Sequence, residues 1–349
     1  MPDRAHLTFA LTLHDAVAPD RTRNACWSPY SVASALGMTA QAARGETEAE
    51  LVALLGADHA KVLKGAVVGD DAEFAVANTL WAWQGLPLHE GFLTDLAGWP
   101  GAKARSAPFA EDPEGSRKLI NDDVAETTHQ LIPELLDAGS ITSDTVATLV
   151  NALYLKCAWR EEFPEHDTAD LPFRGAGDVA TMRREGSMRY ARRDGWEAVA
   201  LPARGQVEAV VLLPDGELGG TEGVPEVLAA LDHDRVELFL PKLDLSVNVS
   251  LAEALQQVGV RTMFDRAAAD LTGLSPDPRL YVDDVVHEAV LRLDERGFEG
   301  AAATAVVMRM TSFIPAEPAR TVRVDRPYLL LVRHADTGAI FFLAQVAKP

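Results

Sequence analysis

Cysteine is almost missing from this chain: Cys26 and Cys157 are the only two among 349 residues, far apart and in no CxxC pair. That excludes a disulfide framework and a thiolate zinc site, so both are expected to be inert, partly buried thiols. No uncharged apolar run approaches the roughly 18 residues that would suggest a membrane-crossing helix. Positive charge is the minority, 32 Lys plus Arg against 52 Asp plus Glu, and the net charge of -20 opposes binding to phosphate backbones and anionic bilayers. Neither nucleic acid nor membrane is an expected partner. The acidic excess is dispersed rather than gathered into a tail, as on a solvated surface. The opening residues, MPDRAHLTFALTLHDA, lack the unbroken apolar core and small-residue cleavage site of a signal peptide. The expectation is a cytoplasmic protein, or an extracellular one if a leader was removed.

Catalytic signatures are also missing. There is no GxSxG elbow, no HExxH, no GxxxxGK[ST] and no complete GxGxxG. Gly175-Ala176-Gly177 lacks the third glycine and a following helix, and reads as a turn. Glu126 and His129 make a single ExxH, where a carboxylate-bridged di-iron site needs two plus further glutamates; they read as an exposed helical pair. His287, in YVDDVVHEAVLRL, could be imagined as a base beside Asp283 or Asp284, yet no serine or cysteine sits in an activating motif. It is expected instead as a buried histidine, hydrogen-bonded inside a sheet. Trp159 and Trp196 read as core aromatics. The chain is not expected to be an enzyme, and no metal or cofactor is expected.

What is present is an ordered change of pattern. Phe9 to His14 opens amphipathically, and Ser28-Pro29 starts a small-residue, buried-looking helix that Gly45 is expected to end. A second helix, Glu48 to Leu55, stops at Gly56, and a third runs from about Pro113 to Thr128 with Asn121 to Glu126 on its polar face. Strands follow at Val146–Leu155, Val207–Leu213, Glu237–Leu240, Leu243–Val249, Tyr281–Leu293, Tyr328–Arg333 and Ile340–Val346. Asp336 and Gly338 mark the tip of the last hairpin. Helices early and strands late argue for an α+β fold with mostly antiparallel sheets. No repeat or low-complexity linker divides the chain, so one domain over 1–349 is expected.

Between Asp294 and Tyr328 one segment fits neither class. Its run from Ala301 to Met308 has strand length and suits the middle of a sheet, while Gly297, Gly300, Arg309, Pro315 and Pro318 around it say loop. A segment able to be either is a candidate switch.

The order of segments resembles the serpins from end to end. SPYSVASALGM and ARGET are similar to the family's helix B and the turn after it, and TLVNALYLKCAWREEF to its strand ending in lysine, a small pair and tryptophan. VELFLPKLDLSVNVSLAEALQQVGVRTMFDRAAADLTGL, HEAVLRLDERGFEGAAATA and DRPYLLLVRHADTGAIFFLAQVAKP resemble later family segments, including the hinge and the C-terminal signature. The resemblance implies helices packed around three mostly antiparallel sheets, with a reactive centre loop over 297–324. It implies a serine protease inhibitor acting as a suicide substrate: the target cleaves the loop, and the freed strand enters the central sheet before the acyl-enzyme is hydrolysed.

By matching positions, Glu295, Arg296 and Gly297 would form the hinge where the loop leaves its strand, followed by Phe298, Glu299, Gly300, Ala301, Ala302 and Ala303 of an insertable segment that runs to Met308. Ser28, Ser31, Asn151 and His287 would be the polar cluster gating the sheet, and Trp159 the tryptophan where insertion begins. Family spacing from Glu295 places the reactive bond at Thr311-Ser312, with Met310-Thr311 next, Arg309-Met310 third, and Phe313 further along. Thr311 or Met310 would suit elastase-like or subtilisin-like targets, whereas a trypsin-like one would need Arg309.

Two departures stand out. Phe298 and Gly300 replace the small hydroxyl residue and alanine usual in inhibitory relatives, so a ring must enter the sheet; overpacking there would slow insertion and favour a non-inhibitory role. Asp122 and Asp123 stand where a large apolar residue is common. The short, nearly neutral Gly56–Asp71 stretch gives no expectation of glycosaminoglycan binding. A monomer is expected, and arginine far above lysine suggests a bacterial source.

Overall fold

The computed structural model describes residues 4–99, 101–277, 280–282, 285–298 and 319–349. The first helix, α1 (Arg4–Val17), is longer than its amphipathic middle and buries Phe9, Ala10 and Leu13. Ser28 caps α2 (Pro29–Ala42): its hydroxyl accepts the Ser31 amide at 3.1 Å, and Pro29 occupies the first turn, where no amide partner is lost. Small residues on every side let α2 lie buried behind a sheet. It stops at Ala42, and Gly45 starts the next helix rather than ending this one: α3 (Gly45–Leu55) begins there with φ +58°. Gly56, at φ +80°, closes α3 as expected. The remaining helices among the described residues are α4 (His59–Gly65), α5 (Glu90–Leu96), α6 (Pro113–Thr127), α7 (Val224–Ala229) and α8 (Ala252–Gln257).

Of the fifteen strands among the described residues, six form one sheet: β2 (Ala72–Trp83), β3 (Ala102–Ala107), β4 (Ala147–Ala158), β10 (Leu243–Ser250), β11 (Val286–Leu293) and β12 (Gly297–Phe298). Their order is β10-β11-β12-β4-β2-β3, antiparallel except for β2 with β3. The other nine are β1 (Ala25–Trp27), β5 (Ala169–Phe173), β6 (Gly177–Arg193), β7 (Trp196–Pro202), β8 (Val207–Pro214), β9 (Asp232–Pro241), β13 (Arg320–Arg323), β14 (Tyr328–His334) and β15 (Ile340–Val346). They run β1-β15-β14-β8-β7-β6-β9-β13, with β5 also on β6. The described residues therefore form two sheets rather than three. β6 is 17 residues long and pairs with β9 over Thr181–Tyr190 and with β7 over Arg189–Arg193, which fuses the other two expected sheets into one.

The six-stranded sheet is covered on both faces. Leu149, Leu153, Leu155 and Cys157 of β4 turn inward to the main core with α2, while Val150 and Ala152 pack outward against Ile120 and Val124 of α6. Two buried faces explain why β4 reads as a continuous apolar run. Asn121 and Asp123 are buried, so the polar face expected for α6 is narrower than Asn121 to Glu126. Asn121 exchanges two hydrogen bonds with the Leu136 backbone, and Asp123 accepts from Thr79 of β2 and pairs with Arg105 of β3 at 3.0 Å. Asp123 therefore fastens α6 across the sheet, while Asp122 is exposed.

Several boundaries differ from the sequence reading. β11 starts at Val286 rather than Tyr281; Tyr281 and Val282 are not strand, and Asp283 and Asp284 lie outside the described residues. β9 extends the expected four residues to ten because both neighbours, β6 and β13, supply ladders. Gly175 and Gly177, at φ +87° and +80°, make the turn into β6. His129 lies beyond the end of α6 at φ +51°, against Tyr154, so Glu126 and His129 are exposed but not a helical pair.

Candidate functional site

Strand β12 is only two residues long, yet it sits at the centre of its sheet. Gly297 and Phe298 lie opposite Ala158 and Cys157 of β4, and Phe298 also lies opposite Leu293 of β11. The chain gets there by reversing at once: β11 ends at Leu293, Asp294 to Arg296 make the turn, and the Asp294 amide donates to the Gly297 carbonyl at 3.0 Å. The Asp294 carboxylate closes the turn from within by accepting the Arg296 and Gly297 amides at 2.8 and 3.2 Å. Gly297 has φ +152°, and a Cβ there would stand 2.1 Å from the Cys157 carbonyl oxygen, so only glycine fits. At the expected hinge residues the chain thus leaves β11 and turns back into the sheet.

Around the turn the contacts interlock. The Trp159 indole N–H donates to the Asp294 carbonyl at 2.9 Å, and its amide to the Arg296 carbonyl at 2.9 Å. Its ring meets that of Phe298 with centroids 4.8 Å apart and that of Phe163 at 6.2 Å; Trp159 and Phe298 are each 1% exposed. The ring that would overpack the sheet is already accommodated there, against the Trp159 indole. Burial opposes ionisation of Glu295, but the Lys242 ammonium at 2.8 Å and the Thr168 hydroxyl at 2.7 Å hold its carboxyl below the usual range. Arg296 pairs outward with Glu165.

Below β12 the sheet has a seam. Among the described residues no ladder joins β4 directly to β11. Beside this seam lies the predicted polar cluster. His287 is 2% exposed, and its Nε2 accepts the Ser28 amide at 2.9 Å. Burial lowers its pKa to about 4, so the ring is neutral and can accept. The structure brings Ser28, Ser31 and His287 together, but Asn151 bonds to Asn78, directly opposite on β2. Among the described residues Ser31 Oγ and Asn151 Oδ1 are buried without a hydrogen-bond partner. Lower still, a cavity of about 360 Å³ is lined by Leu36 and Met38 of α2, Leu149 of β4, Phe92 of α5, Leu274 and Val286.

Glu299, Gly300, Ala301, Ala302, Ala303, Met310, Thr311 and Ser312 lie outside the described residues, as do Arg309 and Phe313. Asp294, Lys242, Thr168, Phe163 and Asn78 join the site without having been expected there from the sequence. Asn78 had a usable signal, a polar residue within the apolar run of β2; the others meet only through tertiary structure. Cys26 and Cys157 are buried and free, their thiols pushed up to about 12 by burial.

Two uncleaved or native structures share this architecture at 22% identity: ovalbumin, with a TM-score of 0.84 over 99% of both chains, and the thermophilic serpin Tengpin, at 0.87 over 99% of this chain and 93% of that one. Among sequence relatives, Iripin-2 of Ixodes ricinus is 32% identical over 99% of this chain and 93% of its own length. Human Serpin B8 is 32% identical over 99% and 98%, and the horse leukocyte elastase inhibitor 29% over 99% and 98%. The family described as serpin (serine protease inhibitor) matches residues 4–349, and with these relatives at its full length the chain belongs to the serpin family.

Proposed function

We propose that this serpin inhibits a serine protease as a suicide substrate, and that β12 is the first part of the strand that traps it. The protease's serine oxygen adds to the Thr311 carbonyl carbon, the Thr311–Ser312 C–N bond breaks, and the Ser312 amine leaves with a proton. The resulting ester ties the protease to Thr311. Trapping requires the chain above the ester to extend β12 down the seam before water cleaves it. The observation that carries this reading is β12 itself, paired on both sides above strands that, among the described residues, share no ladder.

Register supports the same course. Continued from Phe298 opposite Cys157, it brings Thr304 opposite Asn151, Val306 opposite Leu149 and Met308 opposite Ala147. Side chains alternate, so Gly300, Ala302, Thr304, Val306 and Met308 would share the inward face of Phe298. Small residues would pass the narrow upper part. Thr304, the polar member, would reach the level of the unpartnered Asn151 Oδ1. Val306 and Met308 would enter the level of the apolar cavity. Ala301, Ala303 and Ala305 would face outward toward the side that α6 covers.

Thr311, or Met310 one residue earlier, suits a small or medium apolar primary pocket, and relatives bear the name leukocyte elastase inhibitor. An elastase-like or subtilisin-like target is therefore proposed over a trypsin-like one. The test mixes the intact protein with a panel of such proteases: a complex that survives boiling in detergent is expected, with a released peptide beginning at Ser312 by mass spectrometry. Cleavage by every protease without any complex would instead establish a non-inhibitory serpin-fold protein.

A further inference from the structure

We infer that the reversal from Asp294 to Phe298 is a register pin, formed before cleavage, that fixes which face of the inserting strand meets the core; the inference rests on the loop-insertion reading above. A strand has a side-chain period of two, so a slip of one residue moves every side chain to the opposite face. Here the two faces are chemically unequal. The set that would follow Phe298 on the inward face is uncharged, whereas the alternate set begins with Glu299 and ends with Arg309. A slipped strand would bury both charges, and a loop of small residues offers little side-chain bulk to prevent it.

Phe298 supplies that bulk. Its ring is fully buried against Trp159, and Trp159 is itself fixed through its indole N–H to the Asp294 carbonyl. The Asp294 carboxylate sets the length of the turn by taking two successive amides, and the close approach of Gly297 to Cys157 leaves no space for a side chain at the neighbouring position. Shifting the strand would bring a residue with a Cβ into that space. Phe298 and Asp294 are therefore positioning residues. The aromatic ring, instead of retarding insertion, starts it from an ordered pair and spares the chain a search for the turn.

The test separates encounter with the protease from commitment to the trap. With an elastase-type protease, Phe298→Ala is expected to raise the moles of inhibitor consumed per mole of protease about tenfold, while the initial association rate stays within about twofold. Phe298→Leu, which keeps apolar bulk, should restore most of the loss. Asp294→Ala should act in the same direction and Asp294→Asn, which retains an acceptor oxygen, should rescue it; these turn variants leave the core aromatics in place should Phe298→Ala fold poorly. In the uncleaved protein the Phe298 amide should exchange slowly with solvent hydrogen, and at least tenfold faster in Asp294→Ala. Equal or lower consumption by Phe298→Ala, or rapid exchange of the Phe298 amide in the unaltered protein, would overturn the pin. If the unaltered protein traps no protease at all, the inhibitory reading fails and the pin with it, a result visible before any variant is made.

Discussion

His287 accepts the Ser28 amide through Nε2, a bond that only the neutral ring can make. Burial depresses its pKa from 6.5 to about 4, so between those values the unfolded chain binds a proton that the native chain refuses. Stability contributed by this group is thus fully present above about pH 6.5 and lost as pH falls toward 4, by up to about 3 kcal/mol. Unfolding followed from pH 7 to 4.5 should show that loss, and His287→Asn should reduce it to the share left by the likewise buried His14; equal pH dependence in both proteins would sink the assignment. Glu295 has the opposite need, since it must stay charged to hold Lys242 and Thr168. Glu295→Ala should lower stability of the uncleaved protein by about 1 kcal/mol, because it removes two charge-assisted contacts beside the turn while Lys242 keeps access to water, and chemical denaturation reads this directly. The buried, hydrogen-bonded state of His287, the helix start at Ser28 and the buried ring of Trp159 were legible in the sequence. Lys242 and Asp294 were not, since their roles depend on which distant backbone lies beside them.

At the scale of elements, local pattern located the helices and strands well and misjudged their ends where neighbours decide. β9 gained residues because two strands flank it, and β11 lost its expected start at Tyr281. Asp123 illustrates the limit of helical periodicity: three residues from Ile120 and one from Val124, it faces the sheet yet carries charge, and sequence alone does not supply Arg105 and Thr79. The seam makes this fastening consequential, since α6 lies over β2 and β4, beside the proposed path of the strand. Asp123→Ala should cost about 2 kcal/mol in the uncleaved protein, while Asp122→Ala, at an exposed position, should change stability by less than about 0.5 kcal/mol. Equal effects at the two positions in denaturant titrations would show that α6 is not tied through Asp123.

For the whole molecule, three observations among the described residues point one way: a sheet with a seam, a cavity of about 360 Å³ below it, and buried polar atoms without partners beside it. Each is a cost that a strand of suitable sequence would remove. Ladder bonds contribute roughly 0.5–1.5 kcal/mol apiece, and filling an apolar cavity recovers lost burial as well as contacts. The intact chain would then be held from its more stable form by connectivity, because the far end of the loop is tethered to β13, at the opposite edge of the nine-stranded sheet from β1. Such a state would be kinetic, with one peptide bond in control of it. Nicking between Met308 and Phe313 with a protease that is not trapped should release the tether without changing composition. For a chain of 349 residues the unfolding entropy is about 0.7 kcal/mol per kelvin, so several kcal/mol of added stability corresponds to a rise in Tm on the order of 10 °C. The two fragments should remain associated throughout the scan. Replacing Val306 by aspartate should abolish the rise, since a charge would have to enter the cavity level, yet leave the Tm of the uncleaved protein within about 2 °C. An unchanged melting curve after nicking of the natural sequence would mean that the seam stays open and that β12 is as far as the strand goes.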